Sequence, residues 1–92
     1  MSAASDVRAV RVTGTGTAVA RPARLRGLKT LVSGGAGRLT LSDGNGGEVL
    51  FDVDKADGTS LDMTIPGAGI RFKTALHVQT LTNIAAVTFL YE

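Results

Sequence analysis

The sequence predicts an all-β fold, an antiparallel β-sandwich or barrel of about seven or eight short strands. Three observations lead there. Apolar and polar residues alternate with a period of two along most of the chain, turn signals recur about every ten residues, and no stretch places apolar residues at helical spacing. The chain has 92 residues and no cysteine, enough for one domain that folds without disulfide support. Residues 1–6 read as a flexible N-terminal segment and 7–92 as a single β-domain.

The elements follow in order. Residues 7–13 and 17–20 form weak strands around Gly14-Thr15-Gly16, and Pro22 suits a break or a sheet edge. Residues 24–32 begin with Leu25 inward between Arg24 and Arg26. After Gly27 the phase slips by one, so that Leu28, Thr30 and Val32 align, which is the signature of a β-bulge. Leu39 and Leu41 oppose Thr40 and Ser42. Val49, Phe51 and Val53 oppose Glu48, Asp52 and Asp54. Between these two runs lies Asp43-Gly44-Asn45-Gly46-Gly47, whose Asp-Gly and Asn-Gly pairs are strong hairpin signals. Leu61, Met63 and Ile65 alternate next. Pro66-Gly67-Ala68-Gly69 follows as a type II turn, with Pro66 at its second position and Gly67 at its third. Ile70, Phe72, Leu76 and Val78 then share a face along one strand running from residue 70 to 79. In the last strand Val87, Phe89 and Tyr91 share a face, while Ala86, Thr88 and Leu90 make the other face apolar enough to be covered too. The inward residues of these runs are the expected core.

The glycine-rich stretch from 32 to 54 invites a phosphate-loop reading, but such a loop needs a helix starting directly after its glycines. Here the chain passes straight into the strand Glu48-Val49-Leu50-Phe51, so the glycines shape a hairpin and no anion site is expected at its tip. His77 is the only histidine and lies on a polar strand face, so a solvated side chain is its simplest reading. Ser33 and Ser42 have no acid–histidine context. The run Asp52-x-Asp54-x-x-Asp57-Gly58 imitates a calcium loop, but Ala56 stands where the third ligand belongs and no glutamate closes the pattern. No catalytic, metal or cofactor-binding residue is assigned, no cofactor is expected, and the chain does not read as an enzyme.

Charge is the more informative feature. The net charge is +2, yet residues 1–40 hold seven basic side chains against Asp6, while residues 41–62 hold six acidic ones against Lys55. Opposite charges on two parts of a small domain cancel internally or pair head to tail between copies. Arg21, Arg24, Arg26 and Lys29 form a basic patch whose expected partners are Asp52 and Asp54 of a neighbouring copy. Nucleic acid is the weaker reading, because no aromatic precedes Phe51 to stack a base among those charges. The four aromatics (Phe51, Phe72, Phe89, Tyr91) are few for a core of this size, which favours a homo-oligomer or docking on a larger assembly. Residues 1–6 contain no apolar run, and no later stretch approaches the length of a membrane span, so no membrane partner is expected.

The succession "RLRGLKTLVSGGAGRLTLSDGNGGEVLFDVD", "LDMTIPGAGIRF" and "AAVTFLY" resembles small all-β structural proteins of tailed bacteriophages, over roughly Arg24 to Tyr91. The shared features are a strand ending in a Gly-rich turn, a D-G-x-G-G hairpin, an I-P-G-x-G-I-x-F segment and a closing V-T-x-x-Y strand. The resemblance implies a virion component made in the host cytoplasm. It implies a capsid decoration (cement) protein that self-associates, as a trimer, and docks on the major capsid protein. A tail-associated or receptor-binding module and a nucleic-acid-contacting virion protein are the alternatives. The first twenty residues lie outside the resemblance, and no catalytic motif comes with it.

Overall fold

The computed structural model describes residues 7–92, and the expectation for residues 1–6 lies outside them. The described chain forms β1 (Arg8–Val12), β2 (Gly16–Val19), β3 (Ala23–Val32), β4 (Gly37–Asp43), β5 (Val49–Lys55), β6 (Met63–Thr64), β7 (Ile70–Phe72), β8 (Leu76–Thr82) and β9 (Ile84–Tyr91). All pairings are antiparallel. One sheet has the order β1-β9-β3, with β6 and β7 both on the far side of β3; the other has the order β2-β8-β4-β5. This is the all-β, two-sheet architecture that the alternation predicts.

The core lies between the sheets. Leu25, Leu28, Phe72, Val87 and Phe89 of the first sheet and Leu39, Leu41, Leu76 and Val78 of the second are fully buried. Leu61 is buried as well, while Phe51, Met63, Ile65 and Ile70 are half-buried at its margin. Val49 corrects the expected core, being 45% exposed. It begins edge strand β5 beside the hairpin, and a register shift between Leu41 and Ser42 places it opposite Ser42 rather than in the apolar row. Thr40 and Ser42 correct it in the other sense. Both are buried on central strand β4, where the Thr40 hydroxyl donates to the Asp52 carboxylate at 2.9 Å and the Ser42 hydroxyl to the Gly44 carbonyl at 2.8 Å. Central β9 behaves as its two apolar faces predict, with Ala86 buried and Thr88 and Leu90 half-buried.

The phase slip in β3 is real. Leu25 pairs with Tyr91 but Gly27 pairs with Leu90, so Arg26 is the extra residue of a bulge. A Cβ on Gly27 would come within 2.9 Å of the Met63 carbonyl, which explains the residue at the slip.

Two segments differ from the sequence reading. The strand expected from 70 to 79 is two strands in different sheets, β7 and β8, joined by 73–75. Phe72 and Leu76 still point into one core because the two sheets face each other, so the inward phase survives the crossing. The strand expected around 61–65 narrows to β6. Together β6 and β7 are one interrupted edge strand along β3, with residues 65–69 looping out between them. In that loop the Gly69 N–H bonds the Pro66 carbonyl and Gly67 has φ of 70°. The turn therefore closes one residue later than the type II reading, with glycine rather than proline at its second position, as a type II′ turn favours.

The chain changes sheet repeatedly, and the tightest change is the single residue Asn83 between β8 and β9, at φ of 53°. Asparagine tolerates this left-handed conformation better than other non-glycine residues. Its amide donates to the Ala36 carbonyl at 2.6 Å, and the Ser33 N–H bonds its carbonyl, which ties the two corners together.

Candidate functional site

The two ends of the sandwich are built differently. At one end the corner 33–36 is held from below by Lys55. Its side chain continues the inward phase of Phe51 and Val53 and is only 2% exposed. Its Nζ donates to the Gly35 carbonyl at 2.6 Å and to those of Ser33 and Ala56 at 3.4 Å. The Asp57 carboxylate accepts from the Gly35 N–H at 2.9 Å. Three carbonyl dipoles thus take the place of an acidic partner for the buried ammonium. This is a structural clamp, and it dismantles the apparent calcium loop: Asp57 serves the corner while Asp52 serves the opposite strand. Among the described residues, no group of three potential ligands converges.

At the other end sits the Asp43–Glu48 hairpin, closed by the Asp43 N–H on the Glu48 carbonyl. Positive φ at Gly44 and Gly46 shapes it, and Asn45, Gly46 and Gly47 are exposed. Gly44 is buried against Thr74. The Asp43 carboxylate accepts from the N–H groups of Thr74 at 2.7 Å and Ala75 at 3.4 Å, fastening the β7–β8 crossing to the hairpin. The Thr74 bond chiefly holds the Asp43 carboxyl below the ordinary carboxylate range, against the opposing effect of partial desolvation.

Beside this hairpin end, Arg8, Arg21, Arg24 and Arg71 line an open groove of about 560 Å³, together with Pro22, Ala23 and Glu92. The folding of the strands puts them there. Arg8 opens β1, Arg21 and Arg24 flank the entry to β3, and Arg71 lies on β7 directly opposite Arg24 in the ladder. The Arg24 N–H and carbonyl both bond residue 92, at 2.7 and 2.9 Å. Arg21 stands 5.8 Å over the Tyr91 ring, a cation–π contact at the groove wall. Glu92 is the one carboxylate side chain in the lining, and its Oε2 is taken by Arg26 at 3.0 Å.

The basic patch of the sequence therefore divides. Arg21 and Arg24 stay together in the groove, joined by Arg8 and Arg71 from distant parts of the chain. Arg26 turns to Glu92, with its Nε buried and without an acceptor. Lys29 is exposed on β3, where it belongs to a cross-strand row with Thr88 and Arg11. Asp52 and Asp54 lie on edge strand β5. Asp52 is already engaged within the chain, accepting from Arg38 Nε at 2.8 Å and Thr40 Oγ1 at 2.9 Å. Asp54 has no ion-pair partner among the described residues. His77 is half-buried and shares a 3.2 Å hydrogen bond with Thr17 rather than standing free in solvent.

The charge division along the chain becomes a division between sheets. The strands of the first sheet carry Arg8, Arg11, Arg24, Arg26, Lys29 and Arg71 and no acidic residue. Those of the second carry Asp43, Asp52 and Asp54 against Arg38 and Lys55. Each sheet has an open edge strand with charge of the same sign as its sheet, β1 with Arg8 and Arg11, and β5 with Asp52 and Asp54 beyond the register shift near Val49. Exposed apolar residues accompany both: Val7 precedes β1 and Val49 begins β5. The other two edges are less inviting to an added strand, since β2 is short and irregular in register and β6–β7 is interrupted. Among the described residues, no helix is long and apolar enough to cross a membrane. No family model matches this chain, nor does any curated protein or solved structure.

Proposed function

We propose that this protein is a non-enzymatic structural component of a tailed-bacteriophage particle, a decoration-type protein that associates with copies of itself and docks on the major capsid protein. The observation that carries the reading is the separation of charge between the two sheets, with an open basic edge at β1 and an open acidic edge at β5. Strands exposed in this way pair through their main chains, and charge sets which edges meet. The strand-and-turn resemblance between Arg24 and Tyr91 supplies the particle. The chemistry of such a role is surface complementarity: apolar residues such as Leu31, 58% exposed on β3, supply burial, while the charged rows set register.

Co-sedimentation of the purified protein with undecorated capsids tests this. Saturable binding at moderate salt, weakened by Leu31→Asp while the far-ultraviolet spectrum keeps its β character, is the expected result. Protein that stays in the supernatant at every salt concentration excludes the capsid role.

A further inference from the structure

Arg24 and Arg71 occupy directly opposed positions of the β3–β7 ladder. Cross-strand neighbours of this kind have Cβ atoms about 5 Å apart, and like charges there repel. Arg8 and Arg21 line the same groove, and Glu92, its single carboxylate side chain, is already bound to Arg26. Neither Arg24 nor Arg71 has an ion-pair partner among the described residues. The fold thus brings four arginines into the lining of one open groove, none of them in an ion pair among the described residues. Two other cations are answered within the chain, Arg38 by Asp52 and Lys55 by three carbonyls, whereas the exposed Arg11, Lys29 and Lys73 also lack an ion-pair partner among the described residues but stand outside the groove.

We infer that the groove lined by Arg8, Arg21, Arg24 and Arg71 is a binding site for a phosphate group. Guanidinium groups present paired N–H donors that match the oxygens of a phosphate, and such charge-assisted bonds are among the strongest a surface makes. A phosphate carries more charge and more acceptor oxygens than a single carboxylate, and so meets the demand of four arginines better. The Tyr91 ring beneath Arg21 fixes that guanidinium at the wall. The Gly44–Gly47 tip contributes nothing to this site; the groove is made by strand ends, with no glycine loop and no helix. The phosphate belongs either to a small free molecule or to a nucleic-acid backbone, and the same four side chains would hold both.

Inorganic pyrophosphate and an oligothymidine are the two probes, tested on the wild type, Arg24→Gln, Arg71→Gln and, as a charge-matched control that does not line the groove, Lys73→Gln. Pyrophosphate should raise the melting temperature of the wild type and of Lys73→Gln in a dose-dependent way, because a ligand of the native state stabilises by mass action. Each groove variant should bind at least about tenfold more weakly, the scale of one lost charge-assisted bond. The ligand-free groove variants should melt no lower than the wild type at low salt, since each removes a repulsion. Oligothymidine binding that is lost in the same variants and falls steeply with salt assigns the phosphate to a nucleic-acid backbone. Oligothymidine left unbound while pyrophosphate binds assigns it to a small molecule. No shift with either probe, or equal losses in Lys73→Gln and Arg71→Gln, overturns the site.

Discussion

Asp52 accepts hydrogen bonds from the Arg38 guanidinium and the Thr40 hydroxyl, and the Arg38 bond above all pushes its carboxyl down to about 2. A carboxyl with a lowered native pKa stabilises the fold fully above its unfolded value, near 4, and loses that contribution as pH falls toward about 2. Melting curves of wild type and Asp52→Asn should therefore converge as the pH is lowered through this window and differ above it. Because the pair is solvent-exposed, added salt should narrow the difference. Lys55 gives a sharper residue-level test. Replacing it by methionine keeps the buried stem but leaves the Gly35 carbonyl without its 2.6 Å donor, and should cost about 1–3 kcal/mol in denaturant unfolding. A neutral substitution would mean that only the aliphatic stem matters. The sequence contained the signal for this lysine, which follows Val49, Phe51 and Val53 at the same parity. What it could not show was the carbonyl cluster that makes an inward ammonium tolerable, since Ser33 and Gly35 are twenty residues or more away.

At the scale of the elements, β7 and β8 show why period alone misplaces a boundary. Facing sheets share one core, so a chain that crosses between them keeps its inward phase, and Phe72 and Leu76 read as one strand. The lapse of alternation at Thr74 marks the crossing, and Asp43, thirty-one residues earlier, holds it. Local signals fared better: the bulge at Gly27 and the hairpin from Asp43 to Glu48 are specified by residues close in sequence, and both were legible. Phe72, on the three-residue strand β7, is fully buried, and Phe72→Ala should destabilise by about 3–5 kcal/mol. The looped-out segment before it depends on Gly69, at φ of 80° with its Cα against the Leu25 carbonyl. A Cβ there would lie 2.4 Å from that oxygen, so Gly69→Ala should cost about 1–3 kcal/mol, read from the same unfolding curves. An unchanged midpoint would mean that the 65–69 loop is not fixed against β3.

At the scale of the whole molecule, the candidate surface was half legible. Arg21 and Arg24 stand close together in the sequence, but Arg8 and Arg71 join them only through the β1–β9–β3–β7 arrangement, which no local pattern encodes. The division of charge along the chain, by contrast, carried over in part into a division between sheets, because six basic residues lie on strands of one sheet, while Asp43, Asp52 and Asp54 lie on β4 and β5 beside Arg38 and Lys55. In the proposed role, these oppositely charged edges join copies of the protein. Single surface pairs contribute only about 0–1 kcal/mol, so main-chain pairing and apolar burial must supply the affinity and charge the register. The direct test is sedimentation velocity on the wild type, Arg11→Glu, Asp54→Arg and the doubly exchanged variant at low and moderate salt. The wild type should be oligomeric, each single variant should dissociate, and exchanging both charges should restore association. A wild type that sediments as a monomer at every concentration and salt would contradict this pairing.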